Sequence, residues 1–523
     1  MSRRPPAARA LGLALSLASA ALWTRAAGAQ PSRRQPAQPA RPEPAAPPPE
    51  EGPPARPISL GQVLEHAVRH SPELASARID IDIAEASVIE ATGIEDWLLT
   101  ATGSYFRRRS EASEGNLIGT DAVDRFTGNI GIGKLLFTGG RFSVVADAER
   151  SRQKFALAMG DATVEYSTSV TAQLTQPLLR NFGSTVTRAG QTRAEIARDA
   201  ARLEKDAAAR TMVRDLVAAY WELAYAIADL EIRRSSVDLA RERRRLTEAS
   251  ARGGAVAPTE VLAVDQVIAS REEEVVSAEL NVLERSLALR RLAGLEIGPG
   301  ELGLAVTAPL EVDPKSPEVE TVVRAAFESS PEIASLEARG RGARLELEVT
   351  ENGLLPRLDL NVYGGPLGTS NKFSQAVEQT ARFDGYQVGA DLELEHAFGR
   401  NAAHGAYRRA QAERNKLMVD MADVRAQIAQ AAVQAVSLAR SAEKRLALSR
   451  TAIELSEKNI KAETGRFELG KSTNFDVLLR QDELKQARLR YARAVADYLR
   501  ATASVGALTG EILPQYGIKI DAK

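Results

Sequence analysis

The chain carries one unit written twice, and few architectures accommodate such a unit. Ser71-Pro72-Glu73-Leu74-Ala75-Ser76 recurs as Ser330-Pro331-Glu332-Ile333-Ala334-Ser335, an offset of 259 residues. Gly183, Gly254, Glu260-Val261-Leu262 and Gly294 recur as Gly399, Gly470, Asp476-Val477-Leu478 and Gly510, an offset of 216. The first copy is therefore longer by 43 residues, inserted between about 140 and 183. Ordered matches at two consistent offsets mark an internal duplication. Each copy reads as a helix, strands, a very long helix, a tip and a further helix. The helical segments are 60–93, 186–252 and 258–293 in the first copy, and 319–352, 401–468 and 474–508 in the second. Each long segment would span roughly 100 Å at 1.5 Å per residue. The two shorter helices of each copy together match its length, so stacked end to end they would lie beside it.

The long segments carry the 3-4 apolar spacing of helices packed side by side. Val213, Leu216, Tyr220, Leu223, Ile227 and Leu230 form one seam. Leu484, Ala487, Tyr491, Ala494, Tyr498, Ala501, Val505 and Leu508 form another. Between the helices the period changes to two. Leu358, Leu360 and Val362 alternate with polar neighbours, as do Tyr386, Val388, Ala390, Leu392 and Leu394. In the first copy Phe126, Gly128, Ile130 and Ile132 do the same, and so do Tyr166, Thr168, Val170, Ala172 and Leu174. Such strands fit a membrane barrel with lipid outside and water inside, or a soluble half-buried sheet. The insertion fits one extra hairpin, with candidate strands 141–155 and 164–177, turned at Thr138-Gly139-Gly140.

The first residues read as a secretory signal, 1–29: Arg3 and Arg4, an apolar run from Leu11 to Leu22, and Ala27-Gly28-Ala29 before the cut. Residues 30–57 hold 11 of the 24 prolines and read as a disordered linker. The remaining boundaries are repeat 1 at 58–298, a linker at 299–318, repeat 2 at 319–513 and a tail at 514–523. There are no cysteines, so an exported chain gains its stability from packing and assembly. The net charge of -1 leaves no electrostatic footprint for nucleic acid. Four to six strands cannot close a membrane barrel, because about eight is the minimum. An open edge in lipid leaves backbone groups unpaired at several kcal/mol each. Several protomers must share one barrel if it is one; two, three or more would serve.

These residues resemble the TolC-type outer-membrane efflux family. The resemblance covers about 58–513. It rests on the two Ser-Pro-Glu motifs, Pro356-x-Leu358, Leu136-Phe137-Thr138-Gly139-Gly140-Arg141, Gln176-Pro177-Leu178-Leu179-Arg180, and Arg466-Phe467-Glu468-Leu469-Gly470 followed by Asp476-Val477-Leu478. It implies a mixed fold of α and membrane β: a trimeric β-barrel in the outer membrane, continued by a long periplasmic α-helical coiled-coil barrel. It implies a passive conduit of a tripartite efflux or type I secretion system, with a periplasmic adaptor protein, an inner-membrane transporter and outer-membrane lipid as partners. The alternative is a periplasmic or surface coiled-coil protein without a pore.

On the same resemblance Asp476 and Glu260 would form the periplasmic pore constriction. Gly253, Gly254, Ala255, Val256, Gly470, Lys471 and Ser472 would form the adaptor-docking tips. The family's second acid is Leu479 here, and its basic residue after the tip glycine is Ser472. Taken alone, either acid also suits a helix N-terminus, and the glycines suit a plain αα turn. No hydrolase, P-loop or dinucleotide motif is present, so neither enzyme activity nor a cofactor is expected. His66 and His70 lack further metal ligands in sequence, and Arg243-Arg244-Arg245 reads as a solvated helix face.

Overall fold

A computed structural model describes residues 56–109, 120–155, 162–254, 256–297 and 303–519. The proposed signal and all but the last two residues of the proposed linker lie outside them. The order is β1 (Arg56–Ile58), α1 (Leu60–His70), α2 (Pro72–Thr92), β2 (Leu98–Arg109), β3 (Thr120–Leu135), β4 (Arg141–Phe155), β5 (Thr163–Pro177), α3 (Ser184–Thr187), α4 (Ala189–Arg252) and α5 (Pro258–Ala293). Then follow β6 (Leu304–Val306), α6 (Val319–Ser329), α7 (Pro331–Asn352), β7 (Arg357–Ser370), α8 (Phe373–Arg382), β8 (Gly385–Glu395), α9 (Asn401–Glu468), α10 (Asn474–Thr509) and α11 (Ile512–Gln515).

The long helices match the periodicity closely, and the first helix of each repeat is split. The Ser-Pro pair is the cause. A residue before proline is pushed out of the helical region, and Ser71 and Ser330 sit at ψ 126 and 118. Pro72 and Pro331 then start the second segment, where a missing N–H costs nothing. Ser330 also caps its helix, its hydroxyl accepting from the Ile333 N–H at 3.1 Å.

The predicted seams are the core. Val213, Leu216, Tyr220 and Leu223 are fully buried, in one cluster with α1, β6 and Ile512 of α11. Ala494, Tyr498 and Ala501 pack against Ala439, Ala442 and Leu446 of α9, and Ala487 is fully buried. Leu216→Ala should cost about 2–5 kcal/mol, read as a lowered midpoint for loss of helical signal on heating. The described parts of the two expected linkers include strand residues. Arg56 and Pro57 belong to β1, which pairs in parallel with β6 inside the 299–318 segment. Tyr516 and Ile518 of the supposed tail pack on the same core.

All six long strands form one antiparallel sheet in the order β2-β3-β4-β5-β7-β8. The extra hairpin, β4 and β5, lies in its middle. Its own turn falls outside the described residues. Gly139-Gly140 instead turns β3 into β4, the Leu136 N–H donating to the Gly140 carbonyl at 2.6 Å. Residues directly opposite one another share a face. Leu99, Ile132, Val144 and Ala172 thus lie on one face, and Thr100, Gly131, Val145 and Thr171 on the other. In β8 the apolar side is fully presented: Val388 is 77% exposed and Leu394 67%. Helix α8, inside the β7–β8 connection, has no counterpart in the sequence reading.

Candidate functional site: an open sheet and two helical tips

The sheet is open. β2 and β8 each have one neighbour, so each presents an unpaired edge. One face is apolar and exposed. The other carries Asp147, Asp359, Asp391 and Glu393, with Asn361 donating to Asp391 at 2.9 Å. An acidic interior face favours cations.

The helices form a row. At the tip end the neighbours run α5-α4-α10-α9, and nearer the sheet α2-α4-α7-α9. The helices at the ends of the row expose apolar side chains: Ile79, Ile83 and Ile89 on α2, and Val419, Leu438 and Leu448 on α9. Among the described residues no helix is long and apolar enough to cross a membrane.

The α9–α10 tip is a Schellman turn. Gly470, at φ 69, lies just past the cap; its N–H donates to the Phe467 carbonyl, and the Lys471 N–H to that of Arg466, both at 2.9 Å. Thr473 then caps α10. Its hydroxyl accepts from the Asp476 N–H at 3.2 Å, while the Thr473 N–H donates to the Asp476 carboxylate at 3.0 Å. This is a reciprocal capping box. Asp476 thus serves the first turn of its own helix.

Hydrogen bonds from the Thr473 hydroxyl, first, and from its N–H hold the Asp476 carboxyl below the usual carboxylate range. A depressed folded pKa gives stability that is present above the unfolded value, about 3.9, and lost as pH falls through the folded one. Amide exchange in the first turn of α10, corrected for intrinsic rate, should therefore accelerate below about pH 4. Thr473→Ala should remove about 1 kcal/mol and expose the same turn at neutral pH.

Ser472 lies between two carboxylates, 2.5 Å from Glu463 and 3.2 Å from Asp476. Its single proton serves one at a time. Glu463 is buried, and so is Asn474, neither of whose side-chain polar atoms has a hydrogen-bond partner among the described residues. Sequence reading missed both. Glu463 lies three residues before Arg466, outside the turn that drew attention.

The α4–α5 tip is plainer. Gly253 caps α4 and Gly254 follows at φ 74. Val256 leads to Ala257, whose side chain cannot cap α5. Glu260 is half-buried in the first turn. Ala255 lies outside the described residues. Within the Arg243–Arg245 run only Arg245 is fully solvated, and Arg243 departs from the expected solvated face. Arg243 is buried, its guanidinium 3.9 Å from the Phe467 ring centre on α9. Helical period explains this, because Ser236, Ala240 and Thr247 on the same stripe are buried too. Burial pushes the Arg243 pKa down, opposed by Glu468. Arg244 and Arg245 pair with Asp265 and Glu242. His66 and His70 stack at 4.2 Å, and His66 meets the Gly294 carbonyl.

The family model for outer membrane efflux proteins matches residues 142–295 and 322–511, one stretch in each repeat. The chain belongs to the outer membrane efflux protein family. No curated protein matches it. Solved structures agree in fold. The VceC outer membrane protein of Vibrio cholerae is 17% identical, with a TM-score of 0.62 over 86% of this chain and 96% of that one. The CmeC outer membrane channel of Campylobacter jejuni is 13% identical, with a TM-score of 0.64 over 88% and 86%. The open-state MtrE outer membrane channel of Neisseria gonorrhoeae is 15% identical, with a TM-score of 0.61 over 89% and 90%. This efflux protein is therefore an outer-membrane channel subunit, its sheet in the outer membrane and its helices extending into the periplasm. The family is one of channels rather than enzymes, and the pore-free coiled-coil reading gives way.

Proposed function

We propose that three copies of this efflux protein close one barrel of eighteen strands and stack their helix rows into a periplasmic tunnel. The observation that carries this is the single open sheet of six strands. One copy is below the roughly eight-strand minimum for a membrane barrel. Exposed apolar residues at both ends of the helix row support packing between copies. Native mass spectrometry of the detergent-purified protein should give three chains. A particle of one or two chains would refute the proposal.

The channel passes cargo passively from a periplasmic adaptor protein and an inner-membrane transporter. The tips at Gly253-Gly254-Ala255-Val256 and Gly470-Lys471-Ser472 receive the adaptor. Around a threefold axis the Asp476 and Glu260 carboxylates form a constriction that titrates as a coupled set. Asp476→Asn keeps an acceptor for the capping box while removing charge. It should lower the cation preference of the channel without changing its assembly. Unchanged ion selectivity in bilayer recordings would remove Asp476 from the constriction.

A further inference from the structure

The apolar face of the sheet changes character at the end away from the helices. Strand register sets Tyr105, Phe126, Arg150 and Tyr166 in one row across β2–β5. Trp97 stands eight residues before Tyr105, about 26 Å along a strand at ~3.3 Å per residue. Aromatic residues thus bracket the apolar band at both ends, as they do at the two interfaces of a membrane barrel. The next row outward holds Arg107, Asp124 and Arg152. Arg107 is paired with Asp124 at 3.3 Å. Arg150 and Arg152 have no ion pair among the described residues, and both are exposed. Two uncompensated cations therefore sit on the lipid-facing side, at the level of the outer headgroups.

Just inside this row the wall is hollowed. Gly103, Gly128 and Ala148 are in register and too small to fill the surface. Helix α8 lies across the neighbouring strands on the same face: Thr380 and Thr168 hydroxyls are 2.7 Å apart, and Phe373 meets the Tyr166 ring edge-on at 6.0 Å. Between helix and strands is an apolar trough of about 900 Å³. Pockets of ~300–1,000 Å³ hold small-molecule-sized groups. Phe383 overhangs it from a backbone at φ 57, a left-handed conformation that a bulky residue rarely adopts.

We propose that this face binds a phosphate-bearing lipid of the outer leaflet, with an acyl chain in the trough and the phosphate between Arg150 and Arg152. Guanidinium pairs phosphate through parallel hydrogen bonds, and the trough lies directly below the cations as a lipid's chain lies below its headgroup. The proposal rests on the apolar face being the outward one. Channel conductance tests that orientation independently, so the two can fail separately.

The test uses the detergent-purified channel and native mass spectrometry, with lipid A, its dephosphorylated form and inorganic phosphate as probes. Wild type should bind lipid A at least tenfold more tightly than the dephosphorylated lipid. Arg150→Gln/Arg152→Gln should abolish that preference. Phe383→Gly relieves the backbone and removes the overhanging ring, so it should weaken both lipids alike. Oligomeric mass, read in the same spectra, should be unchanged in every variant. Equal binding of the two lipids to wild type would overturn the proposal, as would lipid A binding at wild-type strength to the double variant. Displacement of lipid A by millimolar phosphate would reduce the site to a simple anion site and overturn the lipid assignment.

Discussion

Gly365→Ala is expected to abolish assembly of the channel. Gly365 lies in β7, against β5, where the strands of the two repeats meet. A Cβ there would stand 1.8 Å from the carbonyl oxygen of Val170, an overlap with backbone rather than with a movable side chain. Neither strand can retreat. β5 is held on its other side by β4, and β7 by β8. The sheet must then part between the repeats, leaving two unpaired edges in lipid at several kcal/mol for each exposed backbone group. Folded protein recovered from membranes, scored by heat-dependent mobility on a gel, should fall at least tenfold. Gly128→Ala is the control. It lies in the same sheet, and a Cβ there meets nothing within 4 Å. Its yield should equal wild type.

Lys485→Met should loosen the periplasmic end without touching the sheet. The Lys485 ammonium is 5% exposed, 2.7 Å from Asp482 and 3.1 Å from Glu274. It ties α10 to α5, each of which also packs on α4. Arg233 also reaches Glu274, at 2.8 Å. Methionine fills much of the same volume but leaves the Asp482 and Glu274 carboxylates, 45% and 35% exposed, facing one another without the ammonium. Removing one partner of a fully buried ion pair costs about 3–5 kcal/mol. Both carboxylates here keep solvent and Glu274 keeps Arg233, so the cost falls below that range. Hydrogen exchange should speed up along 258–293 and 474–490, with the strands unchanged. A uniform change over the whole chain would point to global destabilisation instead.

The helical half of the fold was legible because long periodic seams leave few alternatives. Val213, Leu216, Tyr220 and Leu223 repeat over several turns, and all are fully buried. Strand faces were legible where one side is apolar, as in β8. Central strand β4 was harder. Val144 and Val145 are both apolar, and Arg150 interrupts its outward face, so alternation weakens where pairing alone holds the strand. Helix α8 escaped notice because its ten residues, Phe373–Arg382, form a short amphipathic segment inside a hairpin loop. Its stability comes from the strands it packs on, which local sequence does not reveal. Ser71 and Ser330 carried a helix break in plain view.

The candidate sites were less legible than the fold. Asp476 was picked out by resemblance, yet its nearest duty is local: a capping box readable from Thr473 and Asp476 at the three-residue spacing. Arg243 was assigned to solvent from its charged neighbours, although the stripe through Ala240 and Thr247 buries it. Which carboxylates face a pore depends on other copies of the chain, and no single-chain pattern encodes that.

The central claim is that this chain builds an outer-membrane conduit. It is tested most directly by recording current across a planar bilayer after addition of the detergent-purified mature protein. Discrete, cation-preferring conductance steps are expected, given the acidic face carrying Asp147, Asp391 and Glu393. A protein that remains in solution and never raises the membrane current would contradict the account.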